Sequence, residues 1–315
     1  MRWRKISLWT SLILVGTIVL AGVWAWTTDL GVFKPQVERW VSEMTGRDLR
    51  IGELSVDLAG SITVVAEDVR FANAQWAEPE YMLSVARIEF RVDPASIFNP
   101  PIVFESLGID DAAIVLTIPE SGDPNWQLDW ADDDPAPPVL LRDARVSDVR
   151  LVYDSAERPV PLELTIDSAT QRLRHDGFLD LSAIGTLSGR DVAIEGEIGT
   201  WGALLAARDI EFNLFGRFDT LTLSADGRID DLSRPVQPTM NVEADGPDID
   251  HLTRMLGLGD QGFGTIAIQG GLARRGDGMK LTLAGNLGQT RVDVRADFLS
   301  LVDLTRIDAE VRASG

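Results

Sequence analysis

The chain has 315 residues, no cysteine, two histidines and a formal net charge of −20. Without cysteine there is no disulfide, thiolate metal site or cysteine nucleophile, and two distant histidines cannot build a multi-histidine metal site. The acidic balance argues against nucleic acid as a partner, because phosphate binding needs clustered Lys and Arg. Since 45% of the residues are hydrophobic, the chain can form a large apolar surface.

The N-terminal segment predicts a membrane anchor. Three basic residues among the first five precede residues 6–26, which carry no charge, and about 21 residues at ~1.5 Å each span ~31 Å, the thickness of a hydrocarbon core. The positive-inside rule then places the N-terminus in the cytoplasm and the bulk of the chain across the membrane. The predicted anchor residues are Ile6, Leu12, Leu14, Val19, Leu20, Trp24 and Trp26. Two alternatives are a cleaved signal peptide and a buried core helix.

The next segment predicts a short amphipathic helix over residues 33–45, with Val37, Trp40 and Val41 on one face. We expect this helix to cap the end of a sheet. A second helix is predicted over residues 248–256, where Asp248 can act as the N-cap. Between them, residues 131–138 form an acidic, proline-rich stretch that is typical of an exposed loop.

The remaining segments predict strands, because apolar and polar residues alternate with a period of two. The clearest example is residues 211–229, where two alternating runs flank a break at Asp219 and Thr220 and predict a hairpin. Further runs occupy most of the chain from residue 49 to 311, and one of them assigns Ala113, Val115 and Thr117 to an apolar face. One-residue slips in the first half predict β-bulges.

The predicted organisation has four parts. Residues 1–30 form the basic start and anchor, and residues 31–130 the cap helix with the first strands. Residues 131–138 form the acidic loop, and residues 139–315 the repeated strands.

A search for catalytic or cofactor motifs yields none that fits its structural context. Gly257, Gly259 and Gly262 match a dinucleotide-binding spacing, but they follow a predicted helix and precede a strand, the reverse of what that site needs. His175 and His251 lie in a predicted turn and a short helix. We therefore predict no catalytic residue, no cofactor and no metal site, and keep an envelope hydrolase as a minor alternative.

Several short segments, taken in order, resemble the AsmA family of inner-membrane-anchored, periplasm-facing proteins of Gram-negative bacteria. After the predicted anchor, the segments that carry the resemblance are T-G-R-D at residues 45–48, I-G-E-L at 51–54, A-E-D-V at 66–69, A-N-A at 72–74 with Trp76, G-D-P-N-W at 122–126, the strand at 192–199, residues 250–264 and N-L-G at 286–288. Many members are about twice as long, so we expect a short member or an N-terminal fragment.

The resemblance implies a mainly β fold in which the transmembrane helix is followed by an elongated, curved, antiparallel-rich sheet, shaped like a trough, with a few short helices. It also implies a role in phospholipid transport toward the outer membrane and in outer-membrane integrity, and no catalytic residues. On this view apolar side chains line a groove for acyl chains. The predicted groove residues are Phe212, Leu214, Leu221, Leu223, Leu281, Leu283, Val292 and Val294.

The expected partners are phospholipids, the inner membrane through the N-terminal helix, and possible outer-membrane or periplasmic proteins. Two alternatives stay open at this point. The same apolar residues could pack against each other in a closed sandwich or barrel core. The chain could also be a structural or assembly factor that binds outer-membrane proteins through a sheet edge.

Overall fold

A computed structural model provides the structure of the protein, and its described residues are mainly β. They are residues 34–58, 60–120, 124–127, 139–156, 161–206, 208–231, 238–250, 262, 264–275, 278–298 and 308–314. The predicted anchor lies outside these ranges. Within them, no helix is long and apolar enough to cross a membrane.

Within the described ranges, three short helices accompany the strands: α1 (Lys34–Thr45), α2 (Pro94–Ile97) and α3 (Trp201–Ala206). The strands are β1 (Leu49–Arg50), β2 (Glu53–Asp57), β3 (Ile62–Ala72), β4 (Tyr81–Val92), β5 (Ile102–Ile118), β6 (Val139–Ser155), β7 (Leu162–Leu173), β8 (Phe178–Leu187), β9 (Arg190–Thr200), β10 (Arg208–Phe218), β11 (Leu221–Asp231), β12 (Pro238–Gly246), β13 (Ile266–Arg275), β14 (Gly278–Leu287), β15 (Thr290–Phe298) and β16 (Asp308–Ser314).

The chain forms two compact units. Unit 1 comprises Met1–Arg172 and Gly185–Gly189, and unit 2 comprises Leu173–Ile184 and Arg190–Gly315. In unit 1 the strand order is β1-β3-β4-β5-β6-β7, with β2 also paired to β3. All these pairs are antiparallel except β5 with β6, which run parallel.

Unit 1 has a crease at which the side-chain alternation of β3 to β7 changes phase. On β5, for example, Ile109 and Ala112 face the same side although they are three residues apart, and the register with β4 is the same on both sides of Asp111. Asp68, Asp111 and Asp148 lie at this level of β3, β5 and β6 with φ of 51°, 50° and 53°. Aspartate tolerates this left-handed conformation better than most residues. The crease adds no extra residue to either strand and is therefore not a bulge. The bulges predicted in the first half correspond to register shifts, each a β-bulge or an irregularity, between Phe71 and Ala72 on β3 and between Arg91 and Val92 on β4.

Because of the crease, the prediction of which β5 side chains face the core is wrong beyond Asp111. The alternation was expected to place Ala113, Val115 and Thr117 on the apolar side of β5. Instead Ala112 is buried and Ile114 packs against the core. The left-handed Asp111 moves the alternation by one residue, and period-two counting alone cannot detect such a change.

Helix α1 covers part of the apolar face of unit 1. Its Val37 and Val41 are buried in one cluster with residues of β3 to β6, and Trp40 packs beside them. Two polar contacts hold the helix in place: Lys34 Nζ donates to the Gly52 carbonyl at 2.9 Å, and Glu38 accepts from the Ile51 N–H at 2.8 Å. The predicted amphipathic helix is therefore a packing helix.

Unit 2 is an antiparallel meander in which each strand from β9 to β15 pairs with the next. The predicted hairpin is present as β10 and β11, joined through Asp219 and Thr220. Among the strands that the structure describes, β16 pairs only with β15, so the sheet is open at that edge. Most of the second predicted helix, residues 251–256, falls outside the described ranges.

The predicted acidic loop also falls outside the described ranges. The strands on either side of it, β5 and β6, pair with each other from Ile102 opposite Val139 onward. Both therefore belong to unit 1. The predicted division into four parts stays a prediction.

Candidate functional site: the apolar face of unit 2

Unit 2 has one apolar and one polar face because directly paired residues on antiparallel strands share a side of the sheet. Leu223, for example, pairs with Gly216 on β10 and Ala244 on β12. Its neighbour in sequence, Ser224, pairs with Phe215 and Glu243. The two neighbours therefore lie on opposite faces.

Two transverse rows form the middle of the apolar face. The Leu223 row runs from β9 to β15 as Ile194, Gly216, Leu223, Ala244, Ile268, Gly285 and Val292. The Leu283 row lies two residues away along each strand and contains Gly196, Leu214, Ala225, Val242, Gly270, Leu283 and Val294.

From β9 to β14, large and small residues alternate along both rows with opposite phase. A strand that contributes a large side chain to one row contributes glycine or alanine to the other. The large side chains lie over their small neighbours: a Cβ placed on Gly270 would be 2.9 Å from Leu283 Cδ2. The result is a continuous, thin apolar layer that contains no charged or hydrogen-bonding side chain.

The middle of this layer is partly open to solvent. Ile194 is 44% exposed and Leu223 37% exposed. Nearer the strand ends the same face is packed, with Leu221 at 2% exposure and Leu272 also at 2%. Exposed apolar side chains that adjoin on one face of a sheet are typical of a surface that binds an apolar partner.

The structure brings the eight predicted groove residues onto this one face. Leu223 and Val292 belong to the Leu223 row, and Leu214, Leu283 and Val294 to the Leu283 row. Phe212 and Leu281 lie in the next row, on the far side of the Leu283 row. Leu221 is on the same face but buried, so it belongs to a packed strand end.

The opposite face is mainly polar. The row through Ser224 runs from β9 to β15 as Glu195, Phe215, Ser224, Glu243, Gln269, Ala284 and Asp293. Its one large apolar side chain, Phe215, is 48% exposed. Between β11 and β15 this face carries a depression of about 670 Å³, lined by Ser224, Asp226, Glu243, Asp293, Arg295 and their neighbours. With charged side chains on its walls, this depression is unsuited to hydrocarbon.

Several charged groups of unit 2 form ion pairs with each other. Arg174 contacts Asp176, Asp180 and Glu197. Desolvation lowers the pKa of Arg174, but the three carboxylates outweigh it and raise the pKa above its usual value. Among the described residues, no group of three or more His, Asp or Glu side chains is placed to hold a metal ion.

A second cluster, in unit 1, joins three of the short segments that carry the resemblance to the AsmA family. Asn125 is 0% exposed. Its side-chain oxygen accepts from the Thr117 N–H at 2.8 Å, and its amide nitrogen donates to Asn73 Oδ1 at 2.8 Å and to the Val115 carbonyl at 2.9 Å. Arg47 donates to the carbonyls of Asn125 and Gln127.

We call this cluster the Asn125 network. It connects the end of α1, the loop after β3 and the segment after β5. The period-two pattern of the strands does not predict contacts among these three segments. Its donors and acceptors are bonded to one another, so its role is structural. The sequence features that point to this network are the short polar segments at residues 45–48, 72–74 and 122–126.

In a comparison with known proteins, the family model described as the AsmA family matches residues 1–170. No curated protein and no solved structure matches the chain.

Proposed function

The chain belongs to the AsmA family, and on this premise we propose that it binds phospholipid acyl chains on the apolar face of unit 2 and transfers them in the cell envelope. The supporting observation is the open middle of that face, where Ile194 and Leu223 are exposed within two uninterrupted apolar rows. The large sheet and the family membership are compatible with such a role.

Physical chemistry explains how this face could hold a lipid without a binding motif. Each CH₂ group removed from water contributes about 0.8 kcal/mol, so an acyl chain gains affinity from length alone. Seven strands from β9 to β15, spaced by ~4.8 Å, make a row about 29 Å long. A bilayer core of about 30 Å holds the tails of two leaflets, so the row exceeds the length of one tail.

The proposed setting is the inner membrane, with a single N-terminal span, the N-terminus in the cytoplasm and both units in the periplasm. In this setting the chain supports outer-membrane lipid homeostasis without catalysis and without a cofactor. Phospholipid is the proposed cargo, and outer-membrane or periplasmic proteins are proposed as partners that receive or supply it.

A photo-crosslinking amino acid placed at residue 223 tests the proposal, with the same probe at residue 224 as a matched control. These neighbours lie on opposite faces, with Leu223 37% exposed and Ser224 half-buried. The full chain is irradiated in its native membranes, purified and analysed by mass spectrometry for lipid adducts. We expect phospholipid adducts at residue 223 and none at residue 224.

The other outcomes separate the alternatives. Equal adducts at both residues would mean non-specific contact with lipid. No lipid adduct at residue 223, together with crosslinks within the chain, would indicate a closed protein core. Crosslinks to outer-membrane proteins in place of lipid would favour the assembly-factor hypothesis.

A further inference from the structure

Two exposed apolar side chains lie at the same end of unit 1. Phe98 follows α2 in the β4–β5 connection and is 83% exposed, and Leu58 directly follows β2 and is 42% exposed. Strand β3 begins and β4 ends at this level, because Ile62 pairs with Val92. Asp57 pairs with Thr63 and brings Leu58 to the same edge.

The loop around Phe98 is free of charge, and so is the chain that follows Leu58, although Asp57 directly precedes Leu58. Residues 94–104 and 58–66 contain no Asp, Glu, Lys or Arg, although a quarter of the whole chain is charged (25%). The nearest acid on the Phe98 side, Asp93, accepts a hydrogen bond from the Ala95 N–H at 3.0 Å as the cap of α2. An exposed aromatic side chain in an uncharged loop suits the membrane interface.

The opposite end of unit 1 provides a comparison. Trp76, in the loop between β3 and β4, is 50% exposed, but Glu78 and Glu80 follow it in the same loop. Carboxylates are repelled by anionic lipid head groups. Both ends of unit 1 thus present an aromatic side chain. The loop between α2 and β5 that carries Phe98 contains no carboxylate, whereas the loop that carries Trp76 contains two.

We propose that the end of unit 1 bearing Leu58 and Phe98 rests on a bilayer surface, with the Phe98 ring in the interfacial layer. This proposal rests on the proposed function, because it requires the N-terminal segment to be anchored in that bilayer. The contact fixes which end of unit 1 faces the membrane and so the end from which a lipid reaches the protein.

The connection to the predicted anchor is long enough for this contact. Lys34 is tied to Gly52, whose N–H is bonded to the carbonyls of Glu67 and Asp68. From that level of the sheet to Val92 there are six residues of β4, about 20 Å at ~3.4 Å each. The eight steps from Trp26 to Lys34 can span at most about 28 Å. The connection reaches the other end equally well, so loop chemistry decides between the two ends.

Single-cysteine labelling tests the proposal cleanly, because the chain has no native cysteine. The full-length variants Phe98→Cys and Trp76→Cys each receive an environment-sensitive fluorophore and are reconstituted into phosphatidylethanolamine–phosphatidylglycerol vesicles. A fraction of the lipid carries a spin label at the head group or upper acyl chain. We expect a blue shift and loss of emission through quenching at residue 98, and neither at residue 76.

Similar quenching at the two positions, or quenching at residue 76 alone, would overturn the proposal. Flotation of the same samples on a density gradient reports the anchor separately. Vesicle-bound protein without quenching at residue 98 refutes the Phe98 contact and leaves the proposed function intact. Protein that does not float refutes the anchored setting, and the Phe98 contact with it.

Discussion

Asn125 shows how one side chain can determine the local structure of several segments. It is fully buried and bonds to backbone or side-chain groups of three other residues. Burying a polar group is tolerated only when its hydrogen bonds are made inside the protein. The Asn125 network therefore links α1, β5 and the loop after β3 through hydrogen bonds.

Replacing Asn125 with leucine should destabilise unit 1. The change leaves the Thr117 N–H and the Val115 carbonyl without their side-chain partner, at a cost of about 2 kcal/mol or more, or ~4–8 °C in Tm. Thermal unfolding followed by circular dichroism measures the shift. Gln127→Ala is the control, because Arg47 contacts the backbone oxygen of that residue. An unchanged Tm for Asn125→Leu would contradict the structural role.

Leu223 and Ser224 carry the residue-scale prediction for the apolar face. Leu223→Asp places a charge within the Leu223 row, where burial by a lipid tail would leave the carboxylate unpaired. We expect loss of co-purified phospholipid and of function in an outer-membrane integrity assay. Ser224→Asp should keep both, at a cost of about 0.2–1 kcal/mol from Glu243 opposite. Equal effects of the two changes would refute this assignment of faces.

The strands of unit 2 depend on glycine where two backbones approach closely. A Cβ on Gly270 would lie 1.9 Å from the Thr282 carbonyl oxygen, and one on Gly216 no nearer than 3.6 Å to any atom. Both glycines lie on the apolar face. Such a close approach marks a site where only glycine fits within a strand.

Gly270→Ala and Gly216→Ala should therefore have opposite effects. The first forces β13 and β14 apart and costs about 1–3 kcal/mol. The second meets ordinary contacts and gains up to about 0.5–1 kcal/mol by reducing backbone freedom in the unfolded chain. Tm values of both variants in the same detergent provide the comparison. A stabilising Gly270→Ala would show that the two strands can separate without cost.

At the scale of the whole molecule, charge is the dominant feature. The net charge of −20 makes the folded chain repel itself. Ion pairs oppose this repulsion; Arg87, for example, contacts Glu67 at 2.8 Å and Glu89 at 2.7 Å. These pairs are solvent-exposed, and exposed pairs contribute little to stability.

Salt should therefore stabilise the protein. Raising NaCl from about 0.01 M to 0.15 M shortens the Debye length from ~30 to ~8 Å and weakens the long-range repulsion more than the close ion pairs. We expect Tm to rise, measured in a non-ionic detergent at constant pH. A fall in Tm over this range would mean that the ion pairs outweigh the repulsion.

The sequence alone predicted much of unit 2 correctly, because period-two alternation follows from the pleat of a strand and needs no knowledge of partners. The two faces, the hairpin of β10 and β11 and the shared face of Phe212, Leu214, Leu223 and Leu283 could all be read from it. The amphipathic face of α1 could also be read from the sequence, because its apolar residues recur at the three- and four-residue spacing of a helix.

Tertiary structure decided the features that depend on distant partners or on single backbone angles. Arg47 bonds to a residue 78 positions away, and no local pattern encodes that contact. The left-handed conformation of Asp111 exchanged the faces of the rest of β5, since one unusual φ reverses every later side chain. The alternation of large and small residues along the two rows appears only when the strand register is known.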